Sequence, residues 1–206
     1  IATGLADEKT VYGMGTGYIA GDPKNYDREH AVDLVKLLSF LQDTQPSTFS
    51  QLGLGEDCPK RRAFLARLQG EIVKRGVIDV LRKGVQHQAA QVTLFYGAPS
   101  SDNAKAKKLF AQNLFSVTRQ LRYSTSETQL ALDLCLFING LPVITFELKN
   151  SLTKQTHEDA IQQYKDDRDP KELLFQFGRC MAHFAVDDDQ AWMCTHLTGK
   201  DAWFLP

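Results

Sequence analysis

The sequence predicts an α/β (α+β) fold, a central mixed sheet flanked by helices, with helical elements gathered in the amino-terminal part. Three observations predict it. Apolar residues recur at helical spacing in several stretches. Two apolar runs fold back on Asn139-Gly140, a strong short-range hairpin signal. A further helix and a second strand pair follow towards the carboxyl end. The 206 residues, 43% of them hydrophobic, suffice for one domain, 1–206, with a sizeable core. Residues 1–90 are expected to be its mainly helical part and 91–206 the part that holds the sheet.

Residues 1–28 are rich in glycine and polar groups and read as a loop. Gly13-Met14-Gly15-Thr16-Gly17 lacks the G-x-x-x-x-G-K-[ST] pattern of a phosphate cradle. Residues 29–42 place Val32, Val35, Leu38 and Leu41 on one side of a helix, stopped by Thr44-Gln45-Pro46. A second helix is expected over 62–75, with Phe64, Leu65, Leu68, Ile72 and Val73 inward. Gly76 breaks it, and a short helix or turn covers 77–83. Lys60, Arg61, Arg62, Arg67, Lys74, Arg75, Arg82 and Lys83 make this the most basic stretch, a solvated helix face by default and a backbone contact to nucleic acid as the functional reading.

Gln91 to Tyr96 is β-prone and bounded by Gly97 and Pro99, so a strand is expected. Residues 103–118 read as a helix with Leu109, Phe110, Leu114 and Val117 inward. After the hairpin, 156–167 reads as a helix closed by Pro170. The segments 180–186 and 191–196 read as a strand pair turning at Asp187-Asp188-Asp189.

The stretch Leu130 to Asn150, LALDLCLFINGLPVITFELKN, carries the chemistry. Leu132, Leu134, Leu136, Ile138, Ile144, Phe146 and Leu148 form an apolar set that alternates with Asp133, Thr145, Glu147 and Lys149. Ionisable groups on strands that otherwise belong in a core are costly unless they pair or bind metal. A structural ion pair at a sheet margin is one reading. The other is a cation site, because Asp133 and Glu147 offer the oxygen ligands that Mg²⁺ prefers. Lys149 would add a fixed positive charge for a phosphate in its transition state. An Asp followed by Glu-x-Lys on a neighbouring strand is the pattern of a metal-dependent phosphodiesterase.

The hairpin register decides whether such a site can form. A plain two-residue Asn139-Gly140 turn pairs Ile138 with Leu141, and so Asp133 with Phe146. Glu147 would then face away from Asp133. The site therefore requires an odd register shift: a three-residue turn with Gly140 left-handed, or a bulge near Pro142. Without a cation the two carboxylates repel each other, so alanine at either is expected to leave the fold intact.

Several classes are excluded or unsupported. No apolar run approaches the roughly 18 residues of a membrane span, so no membrane association is expected. There is no H-E-x-x-H and no G-x-S-x-G, which removes support for a zinc protease or serine hydrolase. Cys58, Cys135, Cys180 and Cys194 form no C-x-x-C and read as reduced cytoplasmic thiols. The net charge is −1, so any DNA contact must come from a local basic patch.

Longer motifs point to a family. Arg119-Gln120 with Arg122-Tyr123-Ser124 resembles an RQ-x-x-YS segment. Asp133 with Phe137, Asn139-Gly140 and Pro142 resembles D-x-x-x-F-x-NG-x-P, and Glu147 to Asn150 resembles ELKN. Ala160, Gln163-Tyr164 and Asp167-Arg168 resemble A-x-x-QY-x-x-DR, and His183 to Asp187 and Phe204-Leu205-Pro206 also fit. Together, from about Tyr26 onward, these resemble the amino-terminal endonuclease domain of the restriction (R) subunit of type I restriction-modification enzymes, within the PD-(D/E)xK nuclease superfamily.

The resemblance implies a PD-(D/E)xK restriction-endonuclease-like core and Mg²⁺-dependent cleavage of double-stranded DNA, with Mn²⁺ as a substitute. It implies catalytic roles for Asp133, Glu147 and Lys149, with the metal held by Asp133, Glu147 and the Leu148 backbone carbonyl. Gln163 and Tyr164 would support the site, and Arg119, Arg122, Lys154 and Arg168 would touch DNA. Motor domains are implied beyond Pro206, and ATP belongs to them. Methylation and specificity subunits would be partners of the whole enzyme. Two departures stand out. Related nucleases carry Gln-x-x-x-Tyr after the site, whereas here Ala160 lies four before Tyr164. A further acidic ligand is often found in the first helix, for which Glu8 and Glu29 are candidates. A stand-alone repair or restriction nuclease and a non-catalytic assembly domain are the competing functions.

Overall fold

Asn139 and Gly140 both have positive φ, 50° and 83°, as a two-residue type I′ turn requires. They join β7 (Ala131–Ile138) to β8 (Leu141–Leu148), the centre of a six-stranded mixed sheet. A side chain at position 140 would lie 2.5 Å from the Asp33 carbonyl oxygen, so glycine is needed for space as well as for φ. Asn139 is buried. Its Oδ1 accepts from the Leu114 N–H at 2.6 Å, and its Nδ2 donates to the Leu94 carbonyl at 2.8 Å.

The structure, a computed structural model, describes residues 17–100, 102–127 and 129–206. The remaining sheet strands are β1 (Ile19–Ala20), β6 (Phe115–Arg122), β9 (Ala182–Val186) and β10 (Ala191–Cys194), in the order β1-β6-β7-β8-β9-β10. The pairs β1/β6 and β8/β9 are parallel, and the other neighbours are antiparallel. Short ribbons form from β2 (Tyr26–Asp27) with β3 (Val32–Asp33) and from β4 (Val85–His87) with β5 (Ala90–Val92).

On one side of the sheet lie α1 (Leu34–Thr44), α2 (Pro46–Gln51), α3 (Pro59–Arg75) and α4 (Val77–Lys83). Leu37, Phe40, Phe64, Leu68, Ile72 and Val80 pack there with Val117, Leu134, Leu136 and Val143 of the sheet. α5 (Ala104–Ala111) precedes β6. On the opposite side α6 (His157–Asp166) packs Ala160 and Tyr164 with Cys135, Phe137, Phe175 and Ala185. Its capping box, Thr156 with Asp159, starts it where sequence expects. The expected β9–β10 pair is also present, turning through Asp187 to Gln190.

Several expectations are corrected. The first helix begins at Leu34, because Asp33 caps it through the Lys36 N–H and Val32 belongs to a strand. Its buried side is Leu37, Phe40 and Leu41, leaving Val35 55% exposed. Val73 likewise faces out, 59% exposed. The helix over 103–118 ends at Ala111. The buried Asn113 side chain then bonds the Tyr96 and Phe110 carbonyls, and residues 115–122 enter the sheet between β1 and β7. Regular pairing in 91–96 stops at Val92. Within the expected loop of 1–28, Ile19–Ala20 pairs with Ser116 and Val117, and the Gly13 to Thr16 run lies outside the described residues.

The basic stretch is largely internal electrostatics. Asp57 meets Arg61 and Arg62, Glu71 meets Arg67 and Arg75, and Asp79 meets Arg75 and Lys83. All four cysteines are free, and no helix among the described residues is long and apolar enough to cross a membrane.

Candidate functional site

The β7–β8 ladder pairs Ile138 with Leu141 and Phe137 with Pro142, then Leu136 with Ile144. Val143 is thus an extra residue, a bulge beside the proline that cannot donate to the ladder. Of the two devices that sequence allows, the structure uses the bulge and keeps the two-residue turn. The Val143 carbonyl is not wasted; it accepts from the Met181 N–H at 2.8 Å. Beyond the bulge Leu134 pairs with Phe146, so Asp133 comes opposite Glu147. The two carboxylates lie on one face of neighbouring central strands.

Asp133 is held by two donors. Its Oδ2 accepts from the Leu148 N–H at 2.8 Å, and its Oδ1 from the Gln120 side-chain amide at 3.0 Å. Gln120 sits mid-strand in β6 at φ 49°, a left-handed conformation that costs a non-glycine residue energy. Side-chain alternation changes hands at this place. Leu121 and Leu132 pack with the α6 side of the sheet, while Val117, Leu134 and Leu136 pack with the α1–α4 side. The expected single apolar face through Leu132, Leu134 and Leu136 is therefore split at Asp133.

Glu147 is fully buried, 0% exposed. Its Oε1 takes two contacts from Arg168, Nε at 2.7 Å and Nη2 at 2.6 Å. Its Oε2 is buried and makes no hydrogen bond. Burial pushes the Glu147 carboxyl up to about 8, against the pull of Arg168 and with a further push from Asp133. A buried carboxyl oxygen without a hydrogen-bond partner, beside a second carboxyl group, is what a hard cation would satisfy on displacing the proton. Among the described residues no group of three or more His, Cys, Asp or Glu side chains forms a metal cluster. The oxygens here that could hold a cation are those of Asp133 and Glu147 with the neighbouring backbone carbonyls. Glu29 is exposed in a turn where its N–H bonds Asp27, and Glu8 lies outside the described residues.

Lys149 follows at the end of β8, half-buried, and donates from Nζ to Gln163 Oε1 at 2.7 Å. A cleft lined by Lys149, Gln155, Asp159, Gln162, Gln163 and Asp166 opens between the strand end and α6. Tyr164, next to Gln163, points the other way. It is fully buried, and its hydroxyl bonds Thr145 Oγ1 at 2.9 Å, which also meets His183 Nδ1 at 2.7 Å. The missing Gln-x-x-x-Tyr spacing has a structural counterpart. Position 160 is buried in the α6 core, and Gln163, three residues on, carries the contact to Lys149.

Arg119 and Arg122 are exposed on β6, flanking Gln120, and Lys154 is exposed in the loop after β8. Arg168 is not on that surface, contrary to the expectation that it touches DNA. It is 3% exposed and spends its donors on Glu147, the Tyr123 hydroxyl and the Ala131 carbonyl. Residue-level reasoning missed Gln120 as a site residue. Its only signal was its place in the RQ-x-x-YS segment.

The family described as type I restriction enzyme R protein N terminus matches residues 66–202, more than half of the chain. The match holds β6 to β10 and with them Gln120, Asp133, Glu147, Lys149, Gln163 and Arg168. No curated protein and no solved structure matches the chain.

Proposed function

Because the chain belongs to the type I restriction enzyme R protein N-terminus family, we propose that it is the Mg²⁺-dependent endonuclease domain of such a subunit, hydrolysing phosphodiester bonds of double-stranded DNA. The observation that carries this reading is the opposition of Asp133 to Glu147 across a bulged hairpin, with Glu147 Oε2 buried and without a partner. Asp133, Glu147 Oε2 and the Leu148 carbonyl would hold the cation. When bound it supplies a lowered pKa for water and charge stabilisation for the phosphate; Mn²⁺ is expected to substitute.

The chain's own residues do the rest. Gln120 and the Leu148 N–H orient Asp133. Arg168 fixes the rotamer of Glu147. Lys149 presents its ammonium at the open cleft, steadied by Gln163, where it can stabilise charge on the pentavalent phosphate. Arg119, Arg122 and Lys154 are exposed and would neutralise DNA backbone phosphates. Tyr164 supports the site indirectly, by fixing Thr145 two residues before Glu147 on β8.

In this reading the partners are DNA and the methylation and specificity subunits, ATP is used by motor domains elsewhere in the polypeptide, and the enzyme works in the cytoplasm. The test is plasmid linearisation by the assembled enzyme, measured beside ATP turnover. Asp133→Ala and Lys149→Ala are expected to abolish or cut cleavage by about 10²–10³ or more while ATP turnover persists. Near wild-type cleavage by both would place the chemistry elsewhere.

A further inference from the structure

We propose that the hairpin site takes one divalent cation and not two, because the Arg168 guanidinium fills the place that a second would need. The proposal rests on the reading of Asp133 and Glu147 as cation ligands. Two-cation phosphodiesterase sites hold their ions roughly 3.5–4 Å apart, clamped between shared oxygen ligands. A carboxylate clamping such a pair through both oxygens gives one to each ion. Glu147 Oε1 is instead taken by Nε and Nη2 of Arg168, and Oε2 alone is left.

Arg168 is not easily displaced. All three guanidinium nitrogens have partners: Glu147, the Tyr123 hydroxyl at 3.3 Å from Nη1, and the Ala131 carbonyl at 3.0 Å from Nη2. Its ring neighbour is Tyr123, whose centroid lies 5.6 Å from the guanidinium carbon. A guanidinium cannot shed its charge by losing a proton, so pushing it aside would strand a buried cation.

Asp133 accepts from the Gln120 amide at Oδ1 and from the Leu148 N–H at Oδ2, and among the described residues no third acid or histidine joins the pair to complete the ligands of a second ion. Arg168 already supplies a buried positive charge beside Glu147, so a second dication at that carboxyl would meet an uncompensated cation.

The experiment counts Mn²⁺ bound per chain in the full-length protein without nucleotide, by the EPR signal of free Mn²⁺. Wild type is compared with Asp133→Ala and, as a second variant, Glu147→Gln. The expected result is that wild type binds one Mn²⁺ more than either variant. A difference of two overturns the proposal and leaves the hairpin as a cation site. A difference of zero overturns the underlying reading, and the proposal with it. Arg168→Met removes the charge but keeps a stem of similar length, and a second Mn²⁺ is expected there; a count that stays at one in the folded variant would show that Arg168 does not exclude the second ion.

Discussion

Glu147 and Arg168 form a buried ion pair in which both guanidinium contacts fall on a single carboxylate oxygen, Oε1, at 2.7 and 2.6 Å. Removing Glu147 leaves the Arg168 guanidinium charged and shut off from water. Glu147→Ala is therefore expected to destabilise the metal-free protein by roughly 3–5 kcal/mol, as breaking a buried pair typically does. This corrects the expectation that either alanine change leaves the fold intact; it stands for Asp133, which is half-exposed, and not for Glu147. Glu147→Gln keeps an acceptor for Arg168 and should cost clearly less. Urea unfolding of the two variants measures the difference, and equal stability of Glu147→Ala and wild type would show that the pair contributes nothing.

The same burial makes stability depend on pH. The Glu147 carboxyl is raised from 4.5 to about 8 in the folded chain, chiefly by desolvation. The folded state thus holds a proton that the unfolded chain releases. That contribution is complete below 4.5 and is lost as pH rises through about 8. Metal-free protein is expected to lose a few kcal/mol from this group over that window, since a tenfold difference in proton affinity between the two states is worth about 1.4 kcal/mol. A cation at Oε2 favours the ionised form, so Mg²⁺ should raise the melting temperature more at about pH 8 than at about pH 6. Thermal melts with and without Mg²⁺ measure this, and a Mg²⁺ effect that shrinks with rising pH would contradict it.

Gln120 sets function against stability. Its left-handed backbone is a cost in mid-strand, and its side chain steadies Asp133. Gln120→Gly relieves the backbone strain and deletes the amide. The variant is expected to be as stable as wild type or up to about 1 kcal/mol more so, while Mn²⁺ affinity falls by about 10–100-fold, the usual effect of losing a group that orients a ligand. Calorimetry and Mn²⁺ titration give both numbers. Unchanged affinity would reduce Gln120 to a structural quirk of β6.

DNA binding should be dominated by phosphate and fall steeply with salt, because the chain's net charge is only −1 and any attraction is local. Arg119→Ala and Arg122→Ala are each expected to lower the slope of log affinity against log salt by about 1. Arg168→Lys, changed inside the fold, should not alter the slope. Filter binding over a salt series decides. Tight, sequence-selective and salt-insensitive binding would contradict the assignment of these arginines.

Much of the site was legible because it is local. Asn139-Gly140 marks the turn, and Asp133, Glu147 and Lys149 lie within about ten residues of it. Parity alone shows that an odd register shift, by a three-residue turn or a bulge, is needed for the carboxylates to meet. What sequence hid depends on distant partners. Residues 115–122 follow Leu114 and carry Val117 at helical spacing from it, and only the neighbours β1 and β7 make the segment a strand. Gln120 matters through a backbone angle no propensity shows. Arg168 follows a helix among acids and looks like a surface cation; its partner, Glu147, lies 21 residues earlier. Val35 and Val73 fit a helical stripe, but the sheet beneath is reached by Leu37, Phe40 and Ile72 instead.

A cation site built by the bulged hairpin would take its oxygens from Asp133, Glu147 Oε2 and the Leu148 carbonyl. The most direct measurement is the anomalous difference density of crystals soaked in Mn²⁺. The expected result is a single peak within about 2.0–2.6 Å of all three oxygens, the range for hard-cation oxygen ligands, with Arg168 still on Oε1. No peak there under saturating Mn²⁺, or a peak held by other residues, would contradict the account.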